Sequence, residues 1–285
     1  MIIGVTLPLL LLVTPPAPVA TDRPDVTNGP LTVPRGAWQM EVGLDTEVSR
    51  RPLERSSLTF QTSLRIGVHK RAELRLLEGD VVRWAAAASR NRAGFRADAP
   101  TLEFGAKIRL TEGRPDHFVP SFGLQPLLAF RPPLASRLGA PIVGLALIIS
   151  QPLGRRVTLD SNAAIRMDSN PASHTALSGY LTGSMGVQVH PKLLTYAEVV
   201  GGLGARADRS MSIDGGFIYN CAARVALDLS ARALVVGPAP SYGVVVGMTA
   251  MLFDGQRSRR NARIARKRRQ HDERVASANA SIARQ

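Results

Sequence analysis

The chain has 285 residues, of which 45% are hydrophobic and 20% charged, and a formal net charge of +14. That length can bury a large core, and the apolar fraction excludes a disordered chain. The single cysteine, Cys221, excludes a disulfide framework and multi-cysteine metal centres, and 5% aromatic content is thin for stacking nucleic-acid bases.

Residues 1–20 carry an apolar core from Ile2 to Val13 and then a Pro/Ala stretch ending at Ala20. This pattern predicts a secretory signal peptide with cleavage near Ala20–Thr21. Further on, no run reaches the roughly 18 apolar residues of a membrane-crossing helix. The best candidate, Ala140 to Ile149, is short and contains Pro141 and Gly144. Residues 21–36 read as a periplasmic lead-in.

From residue 37 to residue 253 apolar and polar positions alternate with period two, the mark of strands with one greasy and one wet face. Trp38, Met40, Val42 and Leu44 alternate with Gln39, Glu41 and Asp45. Leu58, Phe60, Leu64, Ile66 and Val68 oppose Thr59, Gln61, Ser63 and Arg65; Leu102, Phe104, Ile108 and Leu110 oppose Glu103, Lys107 and Arg109. In 224–232 the odd positions Val225, Leu227 and Leu229 are apolar, while Arg224, Asp228, Ser230 and Arg232 are polar. Twelve such segments are predicted: 37–48, 57–68, 71–79, 101–110, 117–130, 140–151, 156–166, 176–189, 192–203, 212–221, 223–235 and 241–253. Each is near the 9–11 residues that a tilted strand needs to cross a bilayer. Connections after even-numbered strands are short, as at His69-Lys70 and His190-Pro191. Those after odd-numbered strands are mostly longer, the longest being 80–100 with Arg90, Arg92 and Arg96, where Val81-Val82-Arg83-Trp84 is an alternative extension of the strand before it.

A soluble β-sandwich produces the same alternation. The even strand count, the short-turn/long-loop asymmetry and the signal peptide favour an all-β fold: an antiparallel up-and-down transmembrane β-barrel of about twelve strands in the bacterial outer membrane. Its polar faces would line the lumen. The lining residues predicted are Glu41, Arg65, Arg75, Glu103, Lys107, Arg109, Glu198, Asp214, Arg224, Asp228 and Arg232. Residues 254–285 hold ten Lys/Arg against Asp254, Asp272 and Glu273, a net of +7. They read as a basic tail, disordered or helical, with peptidoglycan or anionic head groups as candidate partners and nucleic acid disfavoured by export.

Short motifs in a specific order carry a family resemblance. They are Asp22-Arg23-Pro24-Asp25, then Pro34-Arg35-Gly36-Ala37-Trp38-Gln39-Met40-Glu41-Val42-Gly43, Arg65-Ile66-Gly67-Val68, Arg71-Ala72-Glu73-Leu74-Arg75 and Gly105-Ala106-Lys107. Gln151-Pro152-Leu153-Gly154, Tyr196-Ala197-Glu198, Asp214-Gly215-Gly216 with Tyr219, and Leu227-Asp228-Leu229-Ser230 follow. Over residues 22–253 the chain resembles the bacterial outer-membrane phenol MetA-pathway family, often labelled transporters. The resemblance implies an outer-membrane barrel with a transport role and a link to aromatic compounds. It also implies that Phe253 is the counterpart of the terminal aromatic read by the barrel assembly machinery, here followed by 32 further residues.

No motif points to chemistry. The histidines His69, His117, His174, His190 and His271 lack metal-ligand spacing, and two of them sit in predicted tight turns. Cys221 is alone beside a turn, and the glycines at 201–204 and 215–216 are not followed by a helix that would cradle phosphate. The expectation is therefore a non-enzymatic, cofactor-free and metal-free passive channel for small solutes, embedded in outer-membrane lipid. The alternatives are a non-conducting envelope barrel whose basic tail holds a periplasmic partner, and a lipid-modifying enzyme using a serine and a histidine.

Overall fold

The computed structural model describes residue 19 and residues 21–22, 26–49, 55–89, 92–98, 102–130, 141–168, 176–204, 210–237 and 240–254. The expected basic tail beyond residue 254, and all of the expected signal peptide except Val19, lie outside the described residues.

Thirteen strands run in chain order: β1 (Ala37–Ser49), β2 (Arg55–His69), β3 (Ala72–Ser89), β4 (Arg92–Asp98), β5 (Leu102–Arg109), β6 (Ser121–Phe130), β7 (Ile142–Leu153), β8 (Val157–Asp168), β9 (Ala176–His190), β10 (Leu193–Leu203), β11 (Ser210–Ala222), β12 (Val225–Val236) and β13 (Ser241–Asp254). All neighbours are antiparallel, and β1 pairs with both β2 and β13, so the sheet closes on itself. Twelve strands form the ring. The thirteenth, β4, pairs only with β3, whose Ala72–Glu78 half faces β5 and whose Arg83–Ser89 half faces β4. Closure removes every unpaired edge within the ring, which hydrocarbon could not satisfy.

Two expected boundaries are corrected. Residues 80–100 are not a long loop: β3 continues to Ser89 and returns as β4, a hairpin rising beyond the β3–β5 pairing. Its register is set by backbone pairing, and the run Ala85-Ala86-Ala87-Ala88 shows no alternation from which to read a strand. The fifth predicted segment begins at Ser121 instead of residue 117, because Pro115 opens a 3-10 turn over Pro115–His117 and Phe118 adopts a left-handed φ of 51°.

The alternation predicted from sequence is the alternation observed. Along β1, Trp38, Met40, Leu44 and Val48 are exposed, while Gln39 and Glu41 are buried. Along β12, Leu227 is exposed while Ala226, Asp228 and Ser230 are buried. The largest fully buried side chains in the described residues are Arg65 and Lys107, and the outside carries a wall of exposed Leu, Val, Ile and Met. This distribution, charge inside and hydrocarbon outside, is stable only where the surrounding solvent is itself apolar.

The ends of the strands carry local devices. His69 Nδ1 accepts from the Arg71 N–H at 3.3 Å, and His190 Nδ1 accepts from the Lys192 N–H at 3.2 Å, so two of the histidines are turn-formers. Gly154, at φ +77°, supplies the left-handed residue of the β7–β8 turn. A register shift in the β1–β13 pairing leaves Leu252 as an extra residue and sets Phe253 opposite Trp38 on the outer face.

Candidate functional site: a charged lumen crossed by an N-terminal segment

Residues 21–22 and 26–36, expected as a periplasmic lead-in, reach into the barrel instead. The described part of this segment hydrogen-bonds to inward side chains of strands on all sides of the ring, and only the lumen gives simultaneous access to them. The Thr21 hydroxyl accepts from Thr249 Oγ1 of β13 at 2.9 Å. The Val26 N–H and Thr27 N–H donate to the two carboxylate oxygens of Glu198 on β10, at 2.9 and 2.5 Å. The Thr27 hydroxyl bonds Glu198 and, at 2.7 Å, Thr182 of β9. Asn28 and Asn162 of β8 exchange reciprocal bonds: the Asn28 N–H donates to Oδ1 at 2.7 Å and Nδ2 donates to the Asn28 carbonyl at 2.9 Å. The Val33 N–H donates to Glu73 of β3 at 2.6 Å.

The segment leaves the lumen under β2. The Gly36 N–H donates to the Gly67 carbonyl at 2.6 Å, and the Ala37 N–H to the Pro34 carbonyl at 2.9 Å. Gly67 is glycine for a steric reason: a Cβ there would land on the carbonyl oxygens of Pro34 and Val33.

At the centre of the contacts lies Asp22. Arg65 and Arg75 are directly opposite each other in the β2–β3 register, both facing inward, and Lys107 is the β5 partner of Glu73. Like charges placed in this way repel, and the segment supplies the anion that offsets them. A single oxygen, Asp22 Oδ2, receives Arg75 Nη1, Lys107 Nζ at 2.5 Å and Arg65 Nη1 at 3.3 Å. Lys107 Nζ also donates to the Gly29 carbonyl at 2.9 Å. Arg65 in turn holds Glu41 at 2.7 Å and Glu73 at 2.8 Å. Burial by itself would push the Asp22 carboxyl upward; the charges of Arg65, Lys107 and Arg75 outweigh it and hold the group well below the ordinary carboxylate range.

The predicted lining residues separate by depth. Glu41, Arg65, Arg75, Lys107 and Glu198 are buried where the segment crosses. Glu103, Asp214 and Arg232 face the lumen in pairings of the walls: Glu103 with Arg166 at 2.5 Å, Arg232 with Asp45 at 2.5 Å, and Asp214 accepting from the Tyr196 hydroxyl at 2.9 Å. Asp228 is buried on β12 beside Gly247, where an added Cβ would lie 2.7 Å from its Oδ1. Arg109 and Arg224 sit at the turn end, where Arg109 donates to the Lys70 carbonyl at 3.0 Å and Arg224 lies 3.9 Å from Asp254. The predicted lining set did not include Asp22, Thr27, Asn28, Glu73 or Asn162. Glu73 was visible as an inward charge, but the segment residues carry no periodicity and are fixed by partners up to 228 positions away. No group of three or more potential metal ligands occurs among the described residues.

No family model and no curated protein matches this chain. Solved structures do match. An outer-membrane channel from Pseudomonas putida F1 aligns over 80% of this chain and 100% of its own, with a TM-score of 0.56 and 12% identity. The chain shares its fold with an outer-membrane channel. Weaker matches are the KdgM porin (TM-score 0.47, 8% identity, 75% of this chain and 99% of that one) and the CymD monoaromatic hydrocarbon channel (0.44, 10%, 77% and 90%).

Proposed function

We propose that the chain is an outer-membrane barrel that passes small solutes by diffusion through its lumen, closed at rest by the N-terminal segment. The observation that carries this reading is the mode of attachment. The segment crosses the lumen on polar contacts to side chains of the wall, among them Glu73, Asn162 and Glu198, with no strand added to the barrel, so it can leave without breaking the ring. The shared fold with an outer-membrane channel supports the reading, and the ordered motifs support placement in the phenol MetA-pathway group, with aromatic compounds as candidate solutes. Phe253, on the final strand opposite Trp38, is the proposed contact for the assembly machinery. Single-channel recording in planar bilayers tests the proposal. Wild-type protein is expected to be closed most of the time, and a variant lacking residues 21–33 to conduct in discrete steps. Silence from that variant, shown to be folded by its heat-modifiable gel migration, would overturn the channel.

The filled lumen also favours a second reading, a non-conducting envelope barrel whose basic tail holds an anionic periplasmic partner such as peptidoglycan. Under that reading, removal of residues 254–285 abolishes retention on peptidoglycan, and removal of the segment leaves the bilayer silent.

A further inference from the structure

We infer that Arg65, Arg75 and Lys107 form a carboxylate-binding site on the lumen wall, occupied by Asp22 when the barrel is closed and taken by a small permeant carboxylate when it opens. This rests on the channel reading and names the class of solute.

The wall itself calls for an added anion. Three cations converge from β2, β3 and β5, and all three are buried, at 0%, 2% and 0% exposure. The two wall carboxylates among them, Glu41 and Glu73, both bond Arg65. Lys107 Nζ bonds Asp22 and the Gly29 carbonyl, and both acceptors belong to the segment. The closest approach of Arg75 to Glu73 is 3.6 Å, against a direct bond to Asp22. When the segment leaves, Lys107 loses both of its hydrogen-bond acceptors and Arg75 its direct bond to Asp22, while Asp160 of β8 remains as a further wall carboxylate acting on Lys107. Leaving a buried ammonium without those acceptors is costly unless another anion takes their place.

The shape of the occupant follows from the contacts. One oxygen of a carboxylate carried on a single methylene receives two direct bonds, and Arg65 lies 3.3 Å away. Any small carboxylate presents the same end group.

The test is binding, so that it does not depend on conduction. Full-length wild-type protein and Asp22→Asn are folded in detergent free of carboxylate buffers and titrated calorimetrically with sodium acetate and sodium benzoate, at ionic strength held with chloride. Asp22→Asn is expected to bind either probe at least about tenfold more tightly than wild type, and the gain to vanish in Asp22→Asn/Lys107→Gln. Equal binding by wild type and Asp22→Asn, or displacement of acetate by equimolar chloride, would overturn the site. Should Asp22→Asn fail to fold, the wild-type chain serves: acetate, but not chloride, must speed proteolysis within residues 26–36, and equal rates sink the inference. Folded Asp22→Asn that binds carboxylate but never conducts would defeat the channel reading and leave the site standing. Conduction without carboxylate binding does the reverse.

Discussion

At the scale of single residues, the closed state depends on a few charged hydrogen bonds, and their strengths should be separable. Glu198 accepts two backbone N–H groups and a hydroxyl from the segment. Hydrogen bonds to a charged partner contribute about 1.5–3 kcal/mol, while a neutral hydroxyl bond contributes about 1 kcal/mol. Thr27→Val keeps both N–H bonds and loses the hydroxyl's bonds to the Glu198 carboxylate and to Thr182, so open probability in the bilayer should rise about tenfold. Glu198→Ala removes the whole set and should raise it by a hundredfold or more, by about 3 kcal/mol. Equal effects of the two substitutions would show that Glu198 does not hold the segment. The same residues mark the limit of reading the sequence. Period two assigns Glu198 to the inner face, but face is all it assigns; depth along the strand separates Lys107, under the segment, from Arg109, at the turn end, and depth has no periodic signature.

At the scale of elements, the ring was legible and the segment was not. Each ring strand buries one face and shows the other to an apolar surround, so its composition alternates. Residues 26–36 make no strand. They are surrounded by wall side chains, and their backbone groups are satisfied one at a time by Glu198, Asn162 and Glu73. Nothing in Val26-Thr27-Asn28-Gly29-Pro30 announces those partners. The β3–β4 hairpin was obscured differently, because backbone pairing alone defines it and the alanine run gives no face. Segment and ring meet at Gly67, which makes the junction testable. Gly67→Val places a β-branched side chain on the Pro34 and Val33 carbonyls, while its own strand position stays compatible with β2. The variant should assemble with wild-type heat-modifiable migration and conduct at rest. A folded Gly67→Val barrel that stays closed would mean that the segment has another way through.

At the scale of the whole molecule, closure is an electrostatic contact between three wall cations and the one carboxylate that the segment brings to them, and pH reads that contact. Asp22 faces Arg65, Arg75 and Lys107, and it lies near Glu41 and Glu73 of the same wall. Its carboxyl is held well below the ordinary value of 3.8 by the three cations. For a group whose native value is depressed, the stabilisation is fully present above the ordinary value and is lost only as pH falls through it towards the native one. The ratio of open probabilities between Asp22→Asn and wild type should therefore be constant from about pH 8 to about pH 5, and narrow only below about pH 4. Taking a ratio cancels, to first order, titration of the other lumen carboxylates, because Glu41, Glu73 and Glu198 are present in both proteins. Histidine control would give the opposite profile, with the change falling between about pH 7 and about pH 6. None of the described histidines touches the segment, and His69 and His190 are engaged in their own turns. A ratio that collapses near neutrality would remove Asp22 from the closing contact and move it to a group outside the lumen cluster. A flat ratio that breaks only in acid ties the closed state to one aspartate and the three cations around it.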